Sequence, residues 1–155
     1  MKKKMCYEFE IGTIYIAADG DYITDIRLSD DGLQNVEISE TAVIKNAAKQ
    51  LEEYFAGVRK VFDMQIKFGG TPFQQQVWRA LMDIGYGETR SYKDVAVEIG
   101  NEKACRAVGS ANNRNRVWIV VPCHRVIGAN GSLVGYGGGL TVKERLLQLE
   151  KTYNM

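Results

Sequence analysis

The chain has 155 residues, of which 45% are hydrophobic and 25% charged, and its net charge is +1. This length allows one domain or two small ones, and this composition excludes a disordered chain and collagen-like sequence. No stretch approaches 18 uninterrupted apolar residues, so no membrane partner is expected. Acidic residues follow the N-terminal lysines where a secretory signal would be apolar, which predicts a cytoplasmic protein.

Cysteine usage argues against disulfides and metal. Cys6, Cys105 and Cys123 cannot all pair, and a reducing compartment would leave them as thiols. His124 is the only histidine and no CxxC spacing occurs, so no zinc site is predicted.

Charge is distributed unevenly along the chain. Residues 1–71 hold 9 Lys and Arg against 12 Asp and Glu, whereas residues 72–155 hold 11 against 7. Within residues 101–125 a single acid, Glu102, faces five basic side chains: Lys103, Arg106, Arg114, Arg116 and Arg125. Such a segment indicates either a local anionic partner or a solvated surface.

The first part of the chain is typical of a small α/β unit. Residues 7–11, 13–17 and 22–28 are rich in β-branched and aromatic side chains and are separated by turn formers, which predicts strands. Apolar residues at helical spacing predict a helix over 42–56. Alternation over 61–68 predicts a further strand.

The best domain boundary is the Gly69-Gly70-Thr71-Pro72 turn, which predicts domains 1–70 and 71–155. Thr71 and Pro72 suit the start of a helix whose apolar face runs to about residue 84. Ser91 and Asp94 predict a capped helix over 92–99. A helix over 103–113 follows after a Gly turn, so these two helices form a helix-turn-helix candidate.

The C-terminal region carries an apolar run, a Gly-rich loop and a last helix. Residues 117–121 lead into Cys123, and six glycines lie between residues 128 and 139. Their spacing matches no dinucleotide or phosphate-binding motif, so no nucleotide cofactor is predicted. The segment 141–144 predicts a capping box, and the helix after it places Val142, Leu146 and Leu149 inward and ends near Lys151.

The adjacent Cys123 and His124 are the candidate reactive pair. A neighbouring base can activate a thiol as a nucleophile, and such a base needs a third group to orient it, for which Glu150 is available. The alternative is a buried thiol beside a surface imidazole. Cys6 and Cys105 are interpreted as structural.

The segment Pro122-Cys123-His124-Arg125-Val126 resembles the active-site signature of the O6-alkylguanine-DNA alkyltransferases, also called methylated-DNA–protein-cysteine methyltransferases. Further matching segments are Gly87-Glu88 with Ser91-Tyr92, Arg106-Ala107-Val108-Gly109 with Asn115, and Gly138-Gly139-Leu140 with Lys143-Glu144 and Leu146-Leu147. The resemblance is dense over residues 72–151, whereas residues 1–70 match only in layout. Two positions depart from the family's pattern: Arg116 stands where members commonly have Pro, and Trp118 is also particular to this sequence.

The resemblance implies a fold with two parts. The N-terminal part is an α/β unit, ribonuclease-H-like, with a small antiparallel sheet plus a helix. The C-terminal part is mainly α with a winged helix-turn-helix. It also implies direct repair of double-stranded DNA containing O6-alkylguanine, and of O4-methylthymine, by one irreversible transfer to Cys123 in a monomer, with no cofactor and no metal.

The resemblance also assigns residues to roles. Cys123 is the acceptor, His124 the base acting through water, Glu150 its orienting group, Tyr92 the group facing the flipped nucleotide, and Asn115 the hinge. Backbone groups of Cys123, Val126 and Gly137 line the guanine pocket together with Tyr136. The DNA-binding set is Arg106, which enters the base stack, with Ser91, Tyr92, Lys103, Ala107, Gly109, Arg114, Arg116 and Arg125.

Two other functions are compatible with parts of this sequence. The first is a non-catalytic alkylguanine-binding protein of the same fold, but such relatives replace the acceptor cysteine, which is present here. The second is a Cys-His hydrolase of another class, which would turn over repeatedly and has no need of a helix-turn-helix.

Overall fold

The computed structural model describes residues 1–128 and 139–154. The chain divides into two compact units, Met1–Phe68 and Gly69–Met155; the sequence places the boundary after residue 70. Within the described part of the chain, none of the helices is both long and apolar enough to cross a bilayer.

A four-stranded sheet forms the base of the first unit. Its strands, in the spatial order β3-β2-β1-β4, are β1 (Lys2–Phe9), β2 (Gly12–Asp19), β3 (Tyr22–Arg27) and β4 (Glu37–Ile38). The first three pair antiparallel, but β4 pairs parallel with β1. The prediction of an antiparallel sheet is therefore wrong at one edge, because the connection after β3 crosses the sheet and returns beside β1 in the same direction.

Helix α1 (Ala42–Phe55) packs its apolar stripe on this sheet, and the Thr41 hydroxyl caps it by accepting from the Ile44 amide at 3.4 Å. The strand predicted over 61–68 is wrong. Its side chains do alternate between exposed and half-buried, but the backbone meets β3 at a single bridge between Ile23 and Ile66. Two backbone hydrogen bonds hold the segment there. The Ile23 amide donates to the Gln65 carbonyl, and the Lys67 amide donates to the Ile23 carbonyl.

The second unit is mainly helical. Its elements are α2 (Pro72–Leu81), β5 (Arg90–Ser91), α3 (Tyr92–Glu98), α4 (Cys105–Asn113), a 3₁₀ turn (Cys123–Arg125), β6 (Val126–Ile127) and α5 (Leu140–Tyr153). Capping boxes start α2, with Thr71 and Gln74, and α3, with Ser91 and Asp94. Parallel pairing of β5 with β6 places the start of α3 beside the segment that follows Cys123.

Helix α5 begins earlier than the sequence predicts. Its N-cap is Gly139, at φ 95°, and no side chain caps it, so the predicted capping box at 141–144 is wrong. Glycine adopts this left-handed conformation without the steric penalty of a Cβ atom. The buried face consists of Lys143, Leu146 and Glu150, whereas Val142 and Leu149, predicted inward, are only half-buried.

Candidate active site

Cys123 lies at the start of the 3₁₀ turn with only 2% of its surface exposed. The side chain of Asn115 holds the loop that precedes it. Its amide nitrogen donates to the carbonyls of Val121, at 2.8 Å, and Val117, at 3.3 Å, and its oxygen accepts from the Val117 amide at 3.0 Å. Asn115 therefore connects the end of α4 to the residues that present the thiol.

Within this loop, Ile119 adopts a strained backbone conformation. Its φ is 73°, in the left-handed region that β-branched residues rarely enter, and the Val120 amide donates to the Trp118 carbonyl across it at 2.8 Å. Strain of this kind costs about 1–3 kcal/mol and persists only where surrounding contacts enforce it. The Asn115 bonds on either side of Ile119 supply such contacts, as does the Trp118 indole, which donates to the Asn115 carbonyl at 2.8 Å.

His124 is fully buried, and its Nε2 lies 2.5 Å from Oε2 of Glu150. Burial lowers the pKa of His124, and Glu150 opposes this only in part, so the ring is neutral near pH 7. A carboxylate only accepts hydrogen bonds, so Nε2 carries the proton and Nδ1 carries the lone pair. In the described part of the chain Nδ1 has no hydrogen-bond partner, which makes it the basic nitrogen of the site.

Arg125 holds the other side of the Glu150 carboxylate. Its Nε donates to Oε1 at 2.8 Å and its second terminal nitrogen to Oε2 at 3.0 Å, while the first donates to the Ile84 carbonyl at 2.6 Å. Burial favours the neutral acid, but His124 and Arg125 outweigh it and lower the pKa of Glu150. The structure corrects the DNA-binding role predicted for Arg125, because the side chain is buried and committed to the carboxylate.

Lys143 is a site residue that sequence reasoning missed. It is fully buried in α5, and its ammonium donates to the Val126 carbonyl at 2.5 Å. Burial lowers its pKa from 10.5 to about 8, and an electrostatic interaction with Cys123 opposes that decrease. At neutral pH this group is a cation whose field favours the thiolate form of its neighbour. The sequence pattern placed Val142, Leu146 and Leu149 inward and so left Lys143 off the buried face of the helix.

Tyr92 opens α3 and is half-buried. Burial raises the pKa of its hydroxyl, and the Cys123 charge raises it further, so the phenol stays protonated and able to donate. A Cβ atom added to Gly109 would lie 3.8 Å from the Tyr92 ring, so α4 faces that ring at Gly109 with room for a methyl group between them. Ser91 caps the same helix through the Asp94 amide.

The remaining residues of the predicted site lie on or near α4. Exposed side chains belong to Lys103, Arg106, Ala107, Arg114 and Arg116, and Gly109 is half-buried. Val126 is buried, whereas Tyr136 and Gly137 lie outside the described residues. The structure thus brings Cys123, His124, Glu150, Asn115 and Tyr92 together and leaves four basic side chains exposed around the helix.

A second residue missed in the sequence is Asn112. It lies on the inner face of α4, and its amide donates to the Cys123 carbonyl at 3.3 Å. No motif singled it out. Residues 1–128 and 139–154 contain no cluster of three His, Cys, Asp or Glu side chains suited to a metal ion.

Together, a buried thiol, a neutral histidine on a carboxylate and exposed basic side chains on and beside α4 define a candidate site for a nucleophilic thiol in a helix-turn-helix unit. Family models agree. Residues 72–152 match the DNA-binding domain of 6-O-methylguanine DNA methyltransferase, and residues 2–68 match its ribonuclease-like domain. The chain belongs to the methylated-DNA–protein-cysteine methyltransferase family.

Individual relatives extend over most of the chain. A methylated-DNA–protein-cysteine methyltransferase of Methanosarcina acetivorans is 49% identical, over 93% of this chain and 95% of its own length. The constitutive enzyme of Bacillus subtilis is also 49% identical, over 93% and 92%. The crystal structure of the Mycobacterium tuberculosis O6-methylguanine methyltransferase superposes with a TM-score of 0.92 at 43% identity, covering 99% of this chain and 94% of that one.

A second structure bears on the partner. The crystal structure of Mycobacterium tuberculosis OGT in complex with DNA superposes with a TM-score of 0.89 at 43% identity, covering 98% of this chain and 93% of that one. The two-part fold of this chain is therefore also found in a structure that contains DNA.

Proposed function

We propose that this protein repairs DNA by transferring the alkyl group of O6-alkylguanine to its own Cys123. The observation that carries the proposal is the buried His124–Glu150 pair, which directly follows Cys123 in the sequence and whose imidazole nitrogen Nδ1 has no hydrogen-bond partner among the described residues. Family membership and the DNA complex of a relative support DNA as the partner. A non-catalytic binder of this fold has no use for an acceptor cysteine with its own base.

DNA binding starts at the exposed side chains of α4 and of the segments that flank it. Lys103, Arg106, Arg114 and Arg116 are exposed cations that can neutralise phosphates, which makes binding salt-dependent. The target atom of a stacked guanine is out of reach of a buried thiol, so the base must leave the duplex, which costs a few kcal/mol. Arg106 is proposed to enter the stack and offset part of this penalty.

The transfer step needs a thiolate. The Cys123 proton passes through water to Nδ1 of His124. The Nε2–H group of His124 meanwhile stays protonated and hydrogen-bonded to the Glu150 carboxylate. The thiolate then attacks the alkyl carbon, a sulfur–carbon bond forms and the carbon–O6 bond breaks. Its electron pair goes to guanine, which takes up one proton, so thiol and alkylguanine become thioether and guanine.

Two further groups assist this step. The protonated Tyr92 phenol can donate to the departing guanine, because burial and the Cys123 charge keep its pKa raised. The Lys143 ammonium stabilises the thiolate before attack. The thioether product is inert to every side chain placed at the site, so each molecule reacts once.

Intact mass measurement tests the proposal. Incubation with duplex DNA containing O6-methylguanine should add one methylene mass to the protein, and peptide mapping should place it on Cys123. Cys123→Ser should show no gain, because a hydroxyl is a weak nucleophile at neutral pH. Cys105→Ser, which alters the thiol beside Arg106 on α4, should react like the parent. A methyl group on Cys105 or Cys6 would contradict the assignment.

A further inference from the structure

Asn112 is a polar residue on an otherwise apolar helix face. Only 2% of its surface is exposed, and its neighbours on the inner face of α4, Val108 and Ala111, are buried and apolar. A buried amide is unfavourable unless its donor and acceptor groups are hydrogen-bonded. The position would therefore be filled more stably by an aliphatic side chain of similar size.

The amide makes one hydrogen bond in the described part of the chain. Its nitrogen donates to the Cys123 carbonyl at 3.3 Å, and its oxygen accepts none. Since half of the amide is uncompensated, stability does not explain its presence, and the contact with Cys123 does. This contact joins the DNA-facing helix α4 to the backbone of the acceptor residue.

The partner of the Cys123 carbonyl follows from the chemistry of the substrate, a step that rests on the proposed function. In O6-alkylguanine the ring nitrogens and O6 only accept hydrogen bonds, and the 2-amino group is the single donor of the base. A carbonyl that lines the pocket can therefore recognise only that amino group. The second carbonyl assigned to the pocket, Val126, is likewise held by a buried donor, the Lys143 ammonium at 2.5 Å.

We propose that Asn112 is a specificity-determining positioning residue, which holds the Cys123 carbonyl in the direction that accepts the guanine 2-amino group. Its contribution is selectivity for a 2-aminopurine over a purine without that group. Because Asn112 is part of α4, the carbonyl is correctly placed only when the helix is seated, so recognition of the base is coupled to recognition of the duplex.

Paired substrates provide the test. Single-turnover transfer is measured from identical duplexes that contain O6-methylguanine or O6-methylhypoxanthine, which lacks the 2-amino group. In Asn112→Leu the ratio of the guanine rate to the hypoxanthine rate should fall by roughly two- to tenfold, the range of one neutral hydrogen bond. Asn112→Ala should show the same fall if the leucine variant does not fold.

Val108→Ala is the matched control, because it removes a buried side chain from the same helix face without touching Cys123. It should keep the parental ratio even where its melting temperature falls. An unchanged ratio in both Asn112 variants, or equal losses on both substrates, would overturn the inference while leaving methyl transfer itself intact. Failure of the parent protein to react with either duplex would instead overturn the proposed function.

Discussion

Replacing Lys143 by Met tests whether a buried cation supports the reactive thiol. The ammonium is fully buried, bonded to the Val126 carbonyl at 2.5 Å and electrostatically coupled to Cys123. Methionine is close in length and apolar, so the variant fills the same space without the charge. It therefore separates the effect of charge from that of packing.

The magnitude follows from the pKa of Lys143, which burial lowers from 10.5 to about 8. Between these pH values the unfolded chain binds more protons than the folded one, so the free energy of unfolding increases with pH. At 1.36 kcal/mol per pKa unit the increase totals about 3 kcal/mol between pH 8 and 10.5. Lys143→Met lacks this increase, so the stability of the parent relative to the variant rises with pH.

The rate advantage of the parent over Lys143→Met in methyl transfer should decrease with pH, whereas its stability advantage increases. At pH 7 the parent holds a cation beside the thiolate, and removing it should slow transfer by about tenfold, which corresponds to about 1.4 kcal/mol of lost electrostatic stabilisation. The rate advantage of the parent should shrink as the pH passes through about 8, where the ammonium loses its proton.

Urea unfolding at several pH values and single-turnover mass measurements provide the two readouts. Lys151→Met is the control, because Lys151 is exposed on the same helix. It should follow the parent in both assays. Parallel stability curves for the parent and Lys143→Met, together with a rate ratio that is the same at pH 7 and pH 9, would refute the reasoning.

Further predictions concern arginines that are exposed on or near α4 and the arginine that is buried at the site. Arg106→Ala should slow transfer from duplex DNA far more than reaction with free O6-benzylguanine, which needs no base flipping; equal losses would give Arg106 a role in the chemistry or the fold. Arg125→Met should cost about 3–5 kcal/mol in urea unfolding because it leaves the Glu150 carboxylate buried without the guanidinium that pairs with it. The salt dependence of DNA binding should stay unchanged in Arg125→Met, whereas Arg114→Ala should reduce its slope by about 1. A reduced slope in Arg125→Met would instead support the DNA-binding role that the sequence predicted for Arg125.

Much of the fold was predictable because its signals are local. The caps at Thr71 and Ser91 need only residues three positions apart, and the structure shows both capping boxes. The predicted strand over 61–68 was wrong because alternation describes which side chains face inward, while a strand requires a partner along its length. A single bridge to Ile23 does not meet that condition.

The site was predictable only where a motif named the residue. Cys123 and His124 are adjacent, and the resemblance identified Glu150, 26 positions beyond His124. Lys143, Asn112 and the buried state of Arg125 depend on how α4 and α5 pack around the 3₁₀ turn. Basic and amide side chains are exposed in most proteins, so the local sequence around such a residue does not indicate that tertiary packing will bury it.

The last prediction concerns the alkylated protein. Methylation of Cys123 adds volume to a side chain that is 2% exposed and removes the thiol whose electrostatic interaction supports the charged form of the buried Lys143. Overpacking typically costs about 1–3 kcal/mol, and the loss of the interaction that stabilises the Lys143 ammonium adds to it. The S-methylated protein should therefore melt at a lower temperature than the free thiol, and residues 101–116 should exchange amide hydrogens faster.

The pH dependence distinguishes the two causes. The electrostatic part exists only while Lys143 is charged, so the melting difference should be largest at pH 7 and narrow above about pH 8. The steric part is independent of pH. In Lys143→Met, methylation should lower the melting temperature by the steric part alone, equally at pH 7 and pH 9. Matched thermal melts before and after stoichiometric reaction, with the DNA removed, measure both. A melting temperature that is unchanged or raised by methylation would contradict the coupling, because it would mean that the pocket accommodates the methyl group and that the ammonium does not depend on the thiolate.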